Sequence, residues 1–494
     1  MSSRLYSTNQ VRSFDRSAIE TLGIPGYDLM QRAATAAWHV LRAKWPQARR
    51  IAVFCGAGNN GGDGYLLACL VREAGLEAFV VELAPPARAG DAERACAQWR
   101  SAGGQTVRAD AELPLADVHV DALFGTGLTR AIDGDARKLI ERLNASGRPL
   151  LALDLPSGID ANTGSVLGIA VRATVTISFV AHKRGLFTGA ALDHCGEMLL
   201  DTLELPDSIF KQTLADTRLM VMRRMMRWLP PRQRDANKGI FGHVLAVGSD
   251  AGMGGAIRLS SEAALRVGAG LVSVATRPEN VAPMNAARPE LMARGVVAVA
   301  QLAPLLERAD VVAIGPGLGD SEWAKTLWQT ALDAGKPTVL DADGLNLLAS
   351  HPRRLPQPVV ITPHPGEAAR LLECDSATIQ RDRFAAVIEL ARRFRAVTVL
   401  KGAGSLVAHP EGGVLVCPWG NPGMASAGMG DVLTGVIAGL LAQGLNCWRA
   451  ARLGVALHAQ AGDAAAAEAG QAGLLASDLF VPLRRLRNAQ VDNG

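Results

Sequence analysis

Apolar residues arrive along this chain in two rhythms. Short continuous blocks of Val, Ile, Leu and Ala alternate with longer stretches in which apolar positions recur every three or four residues. The blocks predict strands buried on both faces, the stretches predict amphipathic helices, and their alternation predicts parallel α/β layers. From Ser13 to Lys44 the helical rhythm holds at Ile19, Leu22, Leu29, Met30, Ala33, Ala37 and Leu41, and Gly23-Ile24-Pro25-Gly26 divides it into two helices. Strand blocks follow at 50–56, 78–83, 118–124, 149–153 and 174–179, with helical runs at 65–74, 89–102 and 136–146. Residues 204–238 break the alternation with methionines, Pro230-Pro231 and the arginines 223, 224, 227, 232 and 234, which read as a solvated linker. The domain boundary is placed within it, giving domains 1–217 and 218–494. A second series of strands is expected at 243–248, 271–275, 311–314, 338–340, 359–361 and 397–400, then a hairpin return arm at 412–418 and helices to the end.

The loops after these strands carry the candidate chemistry. In an open parallel sheet, ligands bind beyond the carboxyl ends of the strands. The first loop, Ala57-Gly58-Asn59-Asn60-Gly61-Gly62-Asp63-Gly64, is not G-x-G-x-x-G and offers side-chain oxygens as well as backbone N–H groups. Asn and Gly also simply make turns, but five consecutive special residues exceed what one turn requires. The loops at Asp121 to Arg130 and Asp154 to Gly158 are expected to converge on the same ligand. Asn60, Asp121 and Ser157 are hard oxygen donors, suited to an alkali or alkaline-earth ion.

In the second series, Gly252 to Ala256 opens a helix, and glycine loops recur at 315–319, 341–344 and 402–404. His364, between two prolines, favours a ligand contact. Lys401, followed by Gly402-Ala403-Gly404-Ser405, favours a nucleotide phosphate over snorkelling to solvent. Pro422 to Gly435 is a glycine-rich loop running into a helix, where free N–H groups and the dipole suit phosphate oxygens. Asp431 there is either a base for a hydroxyl attacking phosphorus or only a dipole-favoured helix residue.

Composition narrows the class. A chain of 494 residues calls for two or three domains. A net charge of +4 and 4% aromatics, without an interleaved basic run, do not indicate a nucleic-acid surface. The seven scattered cysteines, never C-x-x-C, argue for a reducing compartment rather than disulfides or zinc. The polar start and the short apolar runs lead to an expectation of a cytoplasmic protein without membrane spans.

Taken in order, the motifs resemble the bifunctional NAD(P)H-hydrate repair enzymes over nearly the whole chain. They are Asn59 to Gly64, Asp121 to Gly127, Asp154-Leu155-Pro156-Ser157-Gly158, Gly315 to Gly319, Asp341 to Asn346, Thr362 to Glu367, Lys401 to Ser405 and Gly428-Met429-Gly430-Asp431. The resemblance implies two three-layer α/β/α domains, an N-terminal Rossmann-like NAD(P)H-hydrate epimerase and a C-terminal ribokinase-like ADP-dependent dehydratase. It implies that Asn59, Asn60, Gly61, Gly62, Asp63, Gly125, Thr126, Gly127, Leu128, Thr129, Arg130, Ala131 and Asp154 hold the hydrated nucleotide (NAD(P)HX), and that Asn60, Asp121 and Ser157 hold K⁺. In the second half, Ala256, Gly317, His364 and Asp431 would contact the hydrate, and Lys401, Gly402, Ala403, Gly404, Ser405 and Gly430 the adenine nucleotide, with Mg²⁺. Asp154 and Asp431 would be the catalytic residues, in a homo-oligomer. One departure is Leu29-Met30-Gln31-Arg32-Ala33-Ala34, which lacks the family's acidic-then-glycine ending. Two other readings stay open: a kinase of a small alcohol, and a non-catalytic N-terminal module.

Overall fold

A computed structural model of the chain describes residues 3–229 and 231–489, so Met1, Ser2, Pro230 and 490–494 lie outside the described residues. The chain divides into two units, Met1–Arg218 and Leu219–Gly494.

In the first unit, seven strands form one parallel sheet: β1 (Arg50–Cys55), β2 (Glu77–Glu82), β3 (Gln105–Arg108), β4 (Val118–Ala122), β5 (Leu150–Leu153), β6 (Val175–Phe179) and β7 (Glu197–Asp201). Their spatial order is β3-β2-β1-β4-β5-β6-β7. The chain leaves β1 toward one edge and later returns beside it to β4. The strand order therefore reverses between β1 and β4, and a crevice opens there beyond the strand ends. Central strands β4, β5 and β6 are buried at every position, which is why continuous apolar runs predicted them. Edge strand β3 is mostly polar and exposed, edge strand β7 sets a short apolar run, Met198 to Leu200, between two acids and is half-buried, and the apolar blocks read from the sequence include neither.

Two helices precede the sheet, α1 (Thr8–Glu20) and α2 (Gly26–Lys44). The first starts five residues before the expected Ser13, because Ser7 and Gln10 form a reciprocal capping box ahead of the apolar rhythm. Helix α2 runs unbroken through the departing segment: Met30 is buried and Arg32 donates to the Leu203 carbonyl at 3.0 Å. A larger correction concerns Asn59 to Gly64. These residues are not a loop but the opening turns of α3 (Asn59–Glu73). Close packing explains the glycines. A Cβ at Gly61 would lie 1.9 Å from the Gly56 carbonyl oxygen, so only glycine lets the helix settle on the strand end.

The second unit contains β8 (His243–Val247), β9 (Leu271–Thr276), β10 (Met292–Gly295), β11 (Val311–Ile314), β12 (Thr338–Leu340), β13 (Val359–Ile361), β14 (Val397–Leu400), β15 (Leu406–Ala408) and β16 (Val414–Val416). They are ordered β16-β15-β14-β13-β12-β11-β8-β9-β10, all parallel until β15 and β16 turn antiparallel. The order reverses between β8 and β11. Helices α4 (Gly254–Arg266) and α5 (Met429–Ala442) pack closely along each other, backbone against backbone at Gly435 and Gly439. A Cβ at Gly435 would lie 1.8 Å from the Ser260 carbonyl oxygen. Gly435→Ala must push the helices apart, and overpacking of this kind costs about 1–3 kcal/mol. A melting temperature lowered by several degrees, measured by differential scanning calorimetry, is the expected result.

Among the described residues, no helix is long and apolar enough to cross a membrane.

Candidate functional site

At the reversal point of the first unit, three strand ends place a polar cluster. Asp121 closes β4, fully buried. Its carboxylate accepts from Ser157 Oγ and the Ser157 amide, both at 2.7 Å, and from the Leu123 amide at 3.1 Å. Burial pushes its pKa up to about 6, against the pull of those hydrogen bonds. Asn60, on the first turn of α3, is 7% exposed, yet neither its amide oxygen nor its nitrogen has a partner. Such an orphan is costly unless a ligand satisfies it. Gly125 lies against both neighbours: a Cβ there would be 3.3 Å from Asn60 Cβ and 3.5 Å from Asp154 Oδ2.

Asp154 follows β5 in a left-handed conformation, φ 68°, unusual for a residue with a Cβ. The turn aims its carboxylate at Lys183, which is 1% exposed. The Lys183 ammonium also donates to Ser178 Oγ at 3.0 Å and the Phe179 carbonyl at 2.8 Å. Two more carboxylates share this charge. Burial, then Asp154 and Asp15, hold the Asp63 carboxyl well above the usual range, with Lys183 pulling the other way. Asp15, on α1, is raised to about 6, mainly by burial. Asp63 and Asp15, beside the Asp154–Lys183 pair, thus hold their protons more tightly than ordinary carboxyls, which suits general acid–base work. Around this cluster Thr126 offers its carbonyl to Arg12, whereas Asn59, Gly127, Thr129, Arg130 and Ala131 are exposed. Leu128 packs into the core and Gly62 rests on Met30.

In the second unit, α5 begins at Gly428, whose φ of 87° reverses the chain without the penalty a Cβ would bring. Asp431 then sits in the first helical turn, its pKa raised to about 7 by burial and by Asp341, with Lys401 opposing. Lys401, at the end of β14, meets Asp341 Oδ1 at 2.6 Å and Glu367 Oε2 at 3.6 Å. Burial pulls the lysine pKa down, but Asp341 and Glu367 outweigh it and leave it raised, so the ammonium stays charged. Thr434 Oγ1 holds the other Asp341 oxygen at 2.6 Å. A Cβ at Gly430 would stand 3.3 Å from Lys401 Nζ, so lysine and helix start share one cleft. Gly402 to Ser405 form the turn between β14 and β15, exposed at Gly402 and Ala403.

Ala256 and Gly317 meet at the reversal point, where a Cβ on Gly317 would be 3.2 Å from the alanine's. His364 is an exposed helix cap: its Nδ1 accepts from Gly366 N at 2.9 Å, and Glu367 Oε2 accepts from His364 N at 2.7 Å. The imidazole proton is thus on Nε2. Burial and then Lys401 depress its pKa, so a neutral donor is presented.

Sequence reasoning missed Asp15, Lys183, Asp341 as the lysine's partner, and Arg383. The last is 1% exposed and its guanidinium donates to the Leu400 and Lys401 carbonyls at 3.3 and 3.2 Å, bracing the strand end that presents Lys401. A charged residue inside an amphipathic stretch, as at Arg383, was the available signal. Among the described residues, no group of three or more His, Cys, Asp or Glu side chains is set to hold a metal ion.

Comparisons with known proteins agree with this architecture. The family described as NAD(P)H-hydrate dehydratase matches residues 244–485, and the YjeF-related protein N-terminus matches residues 26–185. The chain is 48% identical to the bifunctional NAD(P)H-hydrate repair enzyme of Coxiella burnetii, over 98% of this chain and 99% of that one. It is 44% identical to the enzyme of that name from Escherichia coli, over 99% and 94%. A ribokinase-like superfamily protein from Enterococcus faecalis superposes with a TM-score of 0.52 at 30% identity, over 56% of this chain and 96% of that one.

Proposed function

The chain belongs to the bifunctional NAD(P)H-hydrate repair enzymes, and on that premise we propose that residues 1–217 interconvert the R and S epimers of hydrated NADH and NADPH while residues 218–494 dehydrate the S epimer, converting ADP to AMP and phosphate. Hydration leaves a hydroxyl on the ring carbon next to nitrogen. In the first unit Asp154 protonates that hydroxyl. The nitrogen lone pair expels water, and water returns to either face. Lys183 positions the Asp154 carboxylate, and Asp63 and Asp15 sustain the proton supply.

Asn60, Asp121 and Ser157 fit an alkali cation. The orphaned Asn60 amide oxygen is an unused donor, and among the described residues the buried Asp121 carboxylate has no positive partner. Bound K⁺ would supply a fixed positive charge beneath the nucleotide. Protons compete for Asp121 below its pKa of about 6. Apparent potassium affinity, followed by epimer exchange in potassium titrations, should therefore weaken about tenfold per unit of falling pH below that value and level off above it.

In the second unit Asp431 takes the hydroxyl proton as the oxygen attacks the terminal phosphorus of ADP. The anhydride bond breaks and AMP leaves. The lone pair of the ring nitrogen then expels phosphate, and loss of a proton from the neighbouring carbon restores the dihydropyridine. Lys401 and the amides at Gly430 neutralise the transferred charge. Mg²⁺ would arrive with the nucleotide phosphates, since one or two carboxylates plus phosphates suffice for it. The observation that carries the reading is the meeting of Lys401, Gly430 and a proton-poised Asp431 in one cleft. Purified protein mixed with both epimers and ADP should restore all the dihydropyridine absorbance. Recovery that stops when the S epimer is exhausted would remove the epimerase assignment, and absence of recovery would remove the dehydratase assignment.

A further inference from the structure

Two linker arginines that served no purpose in the sequence reading, Arg227 and Arg232, do not point into solvent alone. With Arg266, Arg288, Arg484 and Arg487 they line a cleft of about 1010 Å³ in the second unit. Helices α4 and α5 lead to it. The first ends at Arg266, and the residue capping the second, Gln443, accepts from Arg487 Nη2 at 3.4 Å. Both begin at the catalytic rim, so the cleft lies one helix length, roughly 20 Å, from Asp431.

The charge in this cleft is not balanced. Its carboxylates are Glu262 and Glu290. Glu262, 1% exposed, is already held by Arg266 at 2.9 Å, by Arg288 and by Arg258 at 3.5 Å. Glu290 reaches Arg288 at 4.0 Å. Among the described residues, Arg227, Arg232, Arg484 and Arg487 pair with no carboxylate. Arg232 stacks 3.7 Å over the Phe241 ring, which fixes its plane. The Nε atoms of Arg288 and Arg487 are buried without any partner. Burial and then the nearby Arg232 depress the pKa of Arg487, and the polar partners of the two guanidinium groups here, the Gly268 carbonyl for Arg232 and Gln443 for Arg487, are uncharged. Helix dipoles do not account for the excess. Five of the six arginines, all but Arg232, sit in or just beyond the last turns of four helices, and each helix end offers about half a negative charge at most. Six arginines against two glutamates leave more than that.

We propose that this cleft binds a small anion carrying two or more linked phosphate groups. Guanidinium forks match phosphate oxygens in pairs, and stacked, pre-oriented arginines lose little freedom on binding. The volume is that of a small-molecule site. The occupant separates like charges at the far ends of α4 and α5, and so steadies the two helices whose first turns carry Ala256 and Asp431.

The probe is inorganic tripolyphosphate, titrated calorimetrically into the full-length protein and into Lys401→Ala, which cripples the nucleotide cleft. Binding that persists in Lys401→Ala and weakens at least tenfold in Arg227→Gln/Arg484→Gln is the expected result. Those two side chains are exposed, so their loss leaves the fold standing. Arg487→Gln provides a second variant at the buried wall, with the same expected loss. Affinity should also fall steeply with salt. Disappearance of binding in Lys401→Ala, or binding indifferent to the arginine variants, overturns the proposal. Equal affinity for inorganic phosphate overturns its polyphosphate class.

Discussion

Asp431→Ala protein regenerates no measurable reduced cofactor from the S epimer and ADP, while its exchange of epimers continues at the wild-type rate. That is the expected outcome because the proposed mechanism gives the two reactions separate carboxylates in separate units. General-base catalysis contributes about 10²–10⁴ in rate, and loss of the base at a phosphoryl-transfer site removes that contribution. The fold should tolerate the change, since the Asp431 side chain makes no helix cap and Lys401 keeps Asp341 and Glu367. The wild-type pH profile supplies a second check. With a pKa of about 7 in the free enzyme, the reactive carboxylate form declines below neutrality. The dehydration kcat/KM should rise about tenfold per pH unit up to pH about 7 and then flatten. A flat profile across that range would assign the base elsewhere.

Asp154→Asn is expected to produce the mirror result: epimer exchange falls by about 10²–10⁴ and the ADP-dependent step on pure S epimer is untouched. Asparagine is the informative substitution because its amide oxygen still accepts from Lys183, whose other partners, Ser178 and Phe179, remain. Alanine would strand a buried ammonium and confuse lost chemistry with lost stability, since breaking one side of a buried pair costs about 3–5 kcal/mol. Exchange by Asp154→Asn at the wild-type rate, followed by chromatographic separation of the two epimers, would refute the acid–base role.

Much of this architecture was legible because interior strands of parallel sheets must be apolar on both faces. The blocks at 311–314, 338–340, 359–361 and 397–400 coincide with observed strands. Strands β3 and β7 escaped because an edge needs no such run. The site was legible where chemistry and glycine adjoin in sequence, as at Lys401 and Gly430. It was illegible where topology alone creates a contact. Lys183 meets Asp154 across 29 positions, and Thr434 meets Asp341 across 93. The misjudged Asn59 to Gly64 stretch has a different cause. Glycines required for backbone-on-backbone packing look, in sequence, like glycines required for a loop.

The close backbone approach of α4 and α5 at Gly435 and Gly439 has an operational consequence. Where interdigitating side chains can shift rotamers and absorb small displacements, a carbonyl resting on a neighbouring Cα cannot. The helix starts that carry Ala256 and Asp431 therefore move as a single block, and heat cannot blunt one without the other. Dehydration should survive unchanged until the second unit melts and then vanish at that same temperature, leaving no interval in which a folded but idle enzyme accumulates.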